Sequence, residues 1–174
     1  NWSGFEGHRQ RTVSFWLKLP KDGDYSKYPG IVGWGDRANS KWKVAAVNSQ
    51  KGASAKIRLS WGGVWLTSRS TLEPSKWHHV TVTTNGQINQ DGYPEAELYF
   101  NGQKQEASYD KQIGNPKDFE FGTSIGTLSS TPLLIGSDLF VRQEDRNFFN
   151  GEIDELYIFD GHMTEDEVQK IYNR

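Results

Sequence analysis

The sequence has no cysteine among its 174 residues, so it can form neither disulfides nor thiolate metal sites. Aliphatic side chains are also sparse, since 34% of residues are hydrophobic and the mean hydropathy is −0.75. No apolar run approaches the ~20 residues of a membrane-spanning helix. The net charge of −2 and the isoelectric point near 6.1 show no excess of basic residues. The lack of such an excess argues against nucleic acid or an anionic membrane as the main partner.

Aromatic residues, by contrast, are abundant. They make up 13% of the chain and include seven tryptophans. Many aromatics and much polar surface, combined with few aliphatics, are typical of a β-rich domain rather than a helical bundle. The length suits one hydrophobic core, so we treat residues 1–174 as a single domain. The chain begins at Asn1 without a signal peptide, and we therefore expect a mature or excised part of a larger protein.

Alternation of apolar and polar residues dominates the sequence and predicts β-strands. Within residues 12–19, for example, Val13, Phe15 and Leu17 share one face. Further strands are predicted at 30–35, 41–47, 56–61, 64–68, 77–84, 96–105 (a hairpin), 132–137 and 151–159. Residues 106–131 show no clear period. Closely spaced strands without interleaved helices predict an all-β fold, a two-sheet antiparallel sandwich or jelly roll.

One short helix is predicted at the carboxyl end of the chain. Thr164 and Glu167 have the spacing of a capping box. Val168, Ile171 and Tyr172 then form one apolar stripe, which we expect to dock on the sandwich.

Several segments in this order resemble one known family. They are "RTVSFWLKLP", "SKWHHVTVT", "AELYFNGQ", "PLLIGS" and "FNGEIDELYIFDGHMTEDEVQKIYN". Together they resemble the laminin-G-like jelly roll of bacterial secreted proteins, within the concanavalin A-like lectin/glucanase superfamily, over residues 5–173. The resemblance implies two curved antiparallel sheets and a secreted or cell-surface protein. It also implies binding of glycans or proteins at the concave face or rim loops, often beside a calcium ion.

The carboxylates at the start of the last strand raise the question of catalysis. Glucanases of the same superfamily carry Glu-x-Asp-x-(x)-Glu there, and Glu152 and Asp154 match its first two positions. The third acid is absent, because Leu156 and Tyr157 occupy its place. Glu155 cannot replace it, since adjacent strand residues point to opposite faces. We therefore predict that the domain is not an enzyme, with Leu156 continuing the Glu152/Asp154 face into the core.

Two interpretations of Asp154 stay open. A structural calcium ion would fit hard oxygen ligands from Asp154 and from Glu6 with the neighbouring main chain of residues 5–7, joining the two chain ends. Alternatively, Asp154 is a solvated or salt-bridged carboxylate.

Three tryptophans are candidates for stacking against sugar rings. Trp61 and Trp65 flank Gly62-Gly63, and Trp42 begins a strand after a polar loop. A three-residue turn would make Trp61 and Trp65 cross-strand partners, whereas a two-residue turn would send Trp65 to the opposite face. We expect all three rings at the rim, where they have few structural uses, although a stacking pair that closes the hairpin is the alternative.

Polar groups predicted near the same rim would bind sugar hydroxyls. These residues are Asp36, Arg37, Asn39, Asn48 and Arg58. Arg37 and Arg58, together with Lys43, favour an acidic sugar.

The sequence thus predicts a non-catalytic, monomeric carbohydrate-binding module that holds an oligosaccharide or polysaccharide and is joined to other domains of a larger secreted protein. Two other functions stay open: a protein-binding or adhesion module, and a structural jelly roll attached to an enzyme.

Overall fold

The computed structural model describes residues 4–5, 7, 9–35, 41–48, 54–61, 64–110, 132–137 and 148–174. Eleven strands and one helix lie in this part of the chain: β1 (Arg11–Lys18), β2 (Gly30–Trp34), β3 (Trp42–Val47), β4 (Lys56–Trp61), β5 (Val64–Ser68), β6 (Trp77–Ile88), β7 (Pro94–Phe100), β8 (Gln103–Lys104), β9 (Ala107–Asp110), β10 (Leu134–Ile135), β11 (Glu152–Phe159) and α1 (Glu165–Tyr172).

The strands form two sheets, which confirms the predicted jelly-roll sandwich. The five-stranded sheet has the order β11-β1-β6-β7-β8, and the six-stranded sheet has the order β10-β2-β3-β4-β5-β9. All of these strand pairs are antiparallel. Strand β9 was not predicted, because it begins inside the stretch that lacks a clear period.

The core lies between the sheets and is built from alternating strand positions. Strand β1 contributes Val13, Phe15 and Leu17, which are fully buried, and β6 contributes Val80 and Val82 opposite them. The two sheets meet through such side chains, as expected for an aligned sandwich. Polar residues at the intervening positions of β1 and β6 therefore face away from the core.

Helix α1 begins with the predicted capping box. The Thr164 hydroxyl accepts a hydrogen bond from the Glu167 amide at 3.4 Å, and the Glu167 carboxylate accepts one from the Thr164 amide at 2.8 Å. Val168 is fully buried, which confirms that the apolar stripe docks on the sandwich.

The helix covers the outer face of the five-stranded sheet. The Tyr172 ring lies 5.8 Å from the Trp16 ring and 5.7 Å from the His79 ring. Beneath it, the Ser14 hydroxyl lies 2.8 Å from His79 Nε2, and His79 Nδ1 has no hydrogen-bond partner among the described residues. Ser14 and His79 are both buried, so this Ser–His contact is part of the helix-docking surface.

The buried imidazole predicts a dependence of stability on pH. Burial lowers the pKa of His79, so the folded protein binds a proton less readily than the unfolded chain. The stability contributed by neutral His79 is complete above pH ~6.5. It should fall as the pH drops below that value, by at most about 1.4 kcal/mol per pH unit, until the lower folded pKa is reached. Urea unfolding at pH ~7.5, ~6.5 and ~5.5 measures the free energy of unfolding and so its dependence on pH.

His78 provides the matched control for this prediction. Its Nε2 lies 3.0 Å from the Glu73 carbonyl oxygen, and the side chain is only partly buried. His79→Gln should flatten the acid-side loss of stability, whereas His78→Gln should leave it unchanged. Equal slopes in both variants would show that His79 does not carry the effect.

Candidate functional site

Trp42 and Trp61 lie in the core, which corrects the prediction that they are exposed at the rim. They are cross-strand partners in β3 and β4, with relative exposures of 0% and 1%. The Trp42 ring also stacks on Trp34, with centroids 4.5 Å apart and an interplanar angle of 16°. Trp42 shares its face of β3 with Val44, which faces the opposite sheet. Neither ring is available to a ligand at the surface.

Trp65 lies on the opposite face of the same sheet. The connection between β4 and β5 is the two-residue alternative, because Trp61 pairs with Val64 and Ser60 pairs with Trp65. Val64 is buried with Trp61, so Trp65, one residue later, projects outward. Of the two turn lengths that the sequence left open, the two-residue turn is therefore correct, and Trp61 and Trp65 are not cross-strand partners.

An arginine lies between two aromatic rings on this outer face. The Arg58 guanidinium carbon is 4.7 Å from the Trp65 ring centroid and 5.0 Å from that of Tyr28. Arg58 Nε donates to the Thr67 hydroxyl at 3.0 Å, which fixes the side chain across neighbouring strands. Tyr28 is 43% exposed. Cation–π attraction of this kind stabilises the guanidinium in its position beside the two rings.

A shallow depression of about 170 Å³ adjoins this arrangement. We name the whole surface the Trp65 platform, defined as Trp65 and the residues that line the depression: Tyr28, Val47, Asn48, Lys56, Arg58, Thr67, Ser68 and Ser108. Three predicted site residues, Asn48, Arg58 and Trp65, are thus brought together. No acidic side chain is found among those described in the lining.

The sequence did not predict five polar or aromatic members of the platform, which are Tyr28, Lys56, Thr67, Ser68 and Ser108. Lys56 could have been found, because it is two residues from Arg58 on one strand and so shares its face. Thr67 follows from the same alternation in β5. Tyr28 and Ser108 could not have been found, because they come from the β1–β2 connection and from the unpredicted strand β9. The predicted residues Asp36, Arg37 and Asn39 lie outside the described residues.

The carboxylates of β11 face outward, because a β-bulge interrupts the strand. Val13 pairs with Ile158 and Trp16 with Asp154, so the register shifts by one residue between them. Glu155, at the bulge, has a φ angle of +46°. Consequently Ile153, Leu156 and Ile158 pack on the core.

The bulge corrects the assignment of faces along β11. We expected Leu156 to continue the face of Glu152 and Asp154, but this face instead includes Tyr157 and Phe159. Glu152 pairs with Lys18 at 2.8 Å, and Asp154 accepts a hydrogen bond from the Glu155 amide at 2.8 Å. Both carboxylates are exposed and lie on a surface formed by an edge strand.

Among the described residues, the predicted main-chain calcium ligands at Phe5 and Gly7 do not lie beside Asp154. Asp154 pairs with Trp16, whereas Arg11, five residues earlier in β1, binds the carbonyl oxygens of Phe5 and Gly7 at 3.1 and 2.8 Å. At about 3.3 Å per residue, that separation along the strand is roughly 16 Å. These main-chain oxygens accept hydrogen bonds from the Arg11 guanidinium.

The other predicted ligand, Glu6, lies outside the described residues. Within the described part of the chain, no group of three or more His, Cys, Asp or Glu residues could hold a metal ion.

Comparison with known proteins agrees with this architecture. The Laminin_G_3 family, described as the concanavalin A-like lectin/glucanases superfamily, matches residues 3–169. The chain belongs to this superfamily. No curated protein sequence matches it significantly. None of the described helical structure has the length and apolar character of a membrane span.

Solved structures share the superfamily fold at low sequence identity. The heptameric SAP-like pentraxin of Limulus polyphemus is 16% identical with a TM-score of 0.60, covering 96% of this chain and 70% of the pentraxin chain. The CBM40 of the Ruminococcus gnavus IT-sialidase, bound to α2,3-sialyllactose, is 12% identical with a TM-score of 0.57, covering 94% and 83%. The botulinum neurotoxin serotype D binding domain is 20% identical with a TM-score of 0.53, covering 99% and 37%. These similarities establish the fold.

Proposed function

We propose that the chain is a non-catalytic module that binds an acidic oligosaccharide or polysaccharide at the Trp65 platform. The observation that carries the proposal is the partly exposed Tyr28–Arg58–Trp65 arrangement beside a polar depression. Aromatic faces stack on the C–H faces of sugars, and planar or hydroxyl groups bind the ring hydroxyls. The CBM40 structure supports the proposal, because it holds a saccharide on the same fold.

The charge of the platform favours an acidic ligand. Lys56 and Arg58 project from one face of β4, and Lys43 projects from the same face of β3. The chain as a whole carries a net charge of −2, so this surface differs from the average. Lys43 Nζ donates to the Tyr28 carbonyl oxygen at 3.3 Å, so it also holds the Tyr28 segment in place.

The arrangement of β11 supports binding without cleavage. The third carboxylate of the glucanase motif is missing, and Glu152 is engaged by Lys18 on the sheet opposite the platform. We further propose that the module is monomeric, that it acts outside the cell or at its surface, and that it holds a glycan close to other domains of a larger protein. Tethering of this kind raises the effective concentration of the attached domains at the polysaccharide.

Replacement of Trp65 by alanine should weaken glycan binding by about tenfold or more, because large aromatic anchors dominate such sites. The measurement is affinity electrophoresis through gels that contain polygalacturonate, dextran sulfate, galactan or dextran, followed by calorimetry on any that retard the protein. Retardation by the acidic polymers should also decrease with added salt.

Trp77→Ala is the matched control for Trp65→Ala. Trp77 is 41% exposed and has Lys18 5.7 Å from its ring, but it belongs to the other sheet. Its loss should not change retardation. If no polysaccharide retards the wild-type protein, or if both variants bind as well as the wild type, the proposed site is wrong, and a protein ligand becomes the alternative to test.

A further inference from the structure

A second opening lies on the side of the sandwich, away from the Trp65 platform. Strand β8 pairs with β7 only at Tyr99 and Phe100, so the first part of β7 borders a gap before the chain crosses to β9 in the other sheet. The gap has a volume of about 410 Å³, which is within the ~300–1,000 Å³ typical of small-molecule sites. We name it the side cleft.

The floor of the side cleft is apolar and its walls are polar. Ala96, Leu98, Ala107 and Tyr109 line the cleft, and all four also pack against the hydrophobic core or belong to it. The walls carry carboxylates, carboxamides, an amine and an imidazole: Glu95, Glu97, Asn85, Asn89, Lys104 and His162. An apolar floor below mixed donors and acceptors suits a ring that has C–H groups on one side and hydroxyls around its edge.

Hydrogen bonds within the chain hold several wall residues in place. Asn85 Nδ2 donates to Glu95 at 2.6 Å, and the Asn89 side-chain oxygen accepts from the amides of Asp91 and Tyr93 at 3.0 and 2.9 Å. Such preorganisation reduces the conformational entropy that a ligand must remove on binding.

The charge of the cleft differs from that of the platform. Glu97 accepts from Lys104 Nζ at 2.5 Å and from the Tyr99 hydroxyl at 2.6 Å. Burial raises the pKa of Glu97, but these hydrogen bonds outweigh it and hold the pKa below the ordinary value. Glu97 is therefore ionised and balanced by Lys104, which leaves Glu95 as a further negative charge. An acidic saccharide is disfavoured here.

We propose that the side cleft is a second binding site, separate from the Trp65 platform, that takes an uncharged pyranose unit. Glu95 accepts hydrogen bonds from the sugar hydroxyls, Asn89 contributes its amide group, and the ring rests on the Ala96 and Ala107 side of the cleft.

The test uses ligand-observed saturation-transfer NMR on the full chain with the methyl glycosides of glucose, galactose, mannose and N-acetylglucosamine, and with glucuronic acid. At least one neutral glycoside should bind. Glu95→Ala should weaken that binding about tenfold, because hydrogen bonds to charged groups are among the strongest polar contacts. The variant should fold normally, since Glu95 is exposed.

Glu106→Ala is the matched control, because it removes the same charge from a nearby exposed residue that pairs with Arg69 outside the cleft. Trp65→Ala separates the two sites, and neutral binding should survive it. The inference fails if no neutral glycoside binds, if Glu95→Ala and Glu106→Ala weaken binding equally, or if Trp65→Ala abolishes binding while Glu95→Ala leaves it intact. The last result would keep the platform as the sugar site and remove only the side cleft.

Discussion

Replacement of Trp42 by alanine is expected to lower the free energy of unfolding by about 3–5 kcal/mol. The ring is fully buried, stacks on Trp34 and is the cross-strand partner of Trp61. Its removal would leave a cavity between two large, rigid neighbours that cannot easily fill the space. Since small domains are stable by only ~5–15 kcal/mol, this change would remove a large fraction of the total.

The informative comparison is with Trp65→Ala, which changes the same residue type on the other face of the same sheet. That variant should lose glycan binding and keep most of its stability, whereas Trp42→Ala should lose stability first. Urea unfolding followed by tryptophan fluorescence and far-ultraviolet circular dichroism measures the difference. If Trp42→Ala unfolds at the wild-type urea concentration but no longer binds glycans, Trp42 is a ligand-binding residue after all.

The same alternation that predicted the fold could have placed these rings correctly. In residues 41–47, Trp42 lies on the same face of the strand as Val44 and Ala46, because alternate residues share a face. In residues 56–61, Trp61 shares its face with Ile57 and Leu59 for the same reason. Both series are the apolar face of their strands. The prediction that Trp42 and Trp61 are exposed rested on the neighbouring polar loop and glycines. The alternation of side chains between the two faces of a strand is the stronger constraint.

Other features could not be derived from the sequence pattern. The bulge at Glu155 shifts the alternation of faces along β11 by one residue, so residues after the bulge lie on the opposite face from the one that strict alternation predicts. Glu155 has a positive φ angle, and a glutamate does not signal that conformation in the sequence as a glycine would. Tyr28 reaches the platform from a connection whose path depends on packing of the whole sandwich. Strand periods therefore predict the layers of this protein, whereas the site depends on local irregularities and loop placement.

Arg11→Ala should destabilise the protein by about 3–5 kcal/mol, because it removes a buried, hydrogen-bonded charge. The guanidinium donates to the carbonyl oxygens of Phe5, Gly7 and Arg9 and lies 5.2 Å from the Trp61 ring centroid. Burial lowers the pKa of Arg11 to about 10, so the group still carries its proton at neutral pH. Without it, these carbonyl groups lose a buried donor, and the amino-terminal segment loses its attachment to the core.

Arg9→Ala is the control, because Arg9 is only two residues from Arg11 in the sequence and forms an exposed ion pair with Asp160. Pairs of that kind contribute about 0.2–1 kcal/mol, so this variant should unfold close to the wild type. Arg11→Lys should fall between Arg9→Ala and Arg11→Ala, since an ammonium group keeps the charge but cannot reach three carbonyl oxygens with a planar fork. Limited proteolysis should cut residues 4–9 faster in Arg11→Ala than in Arg9→Ala. If Arg11→Ala and Arg9→Ala prove equally stable, the buried guanidinium does not hold the amino-terminal segment, and the contact of Phe5 with Trp34 suffices.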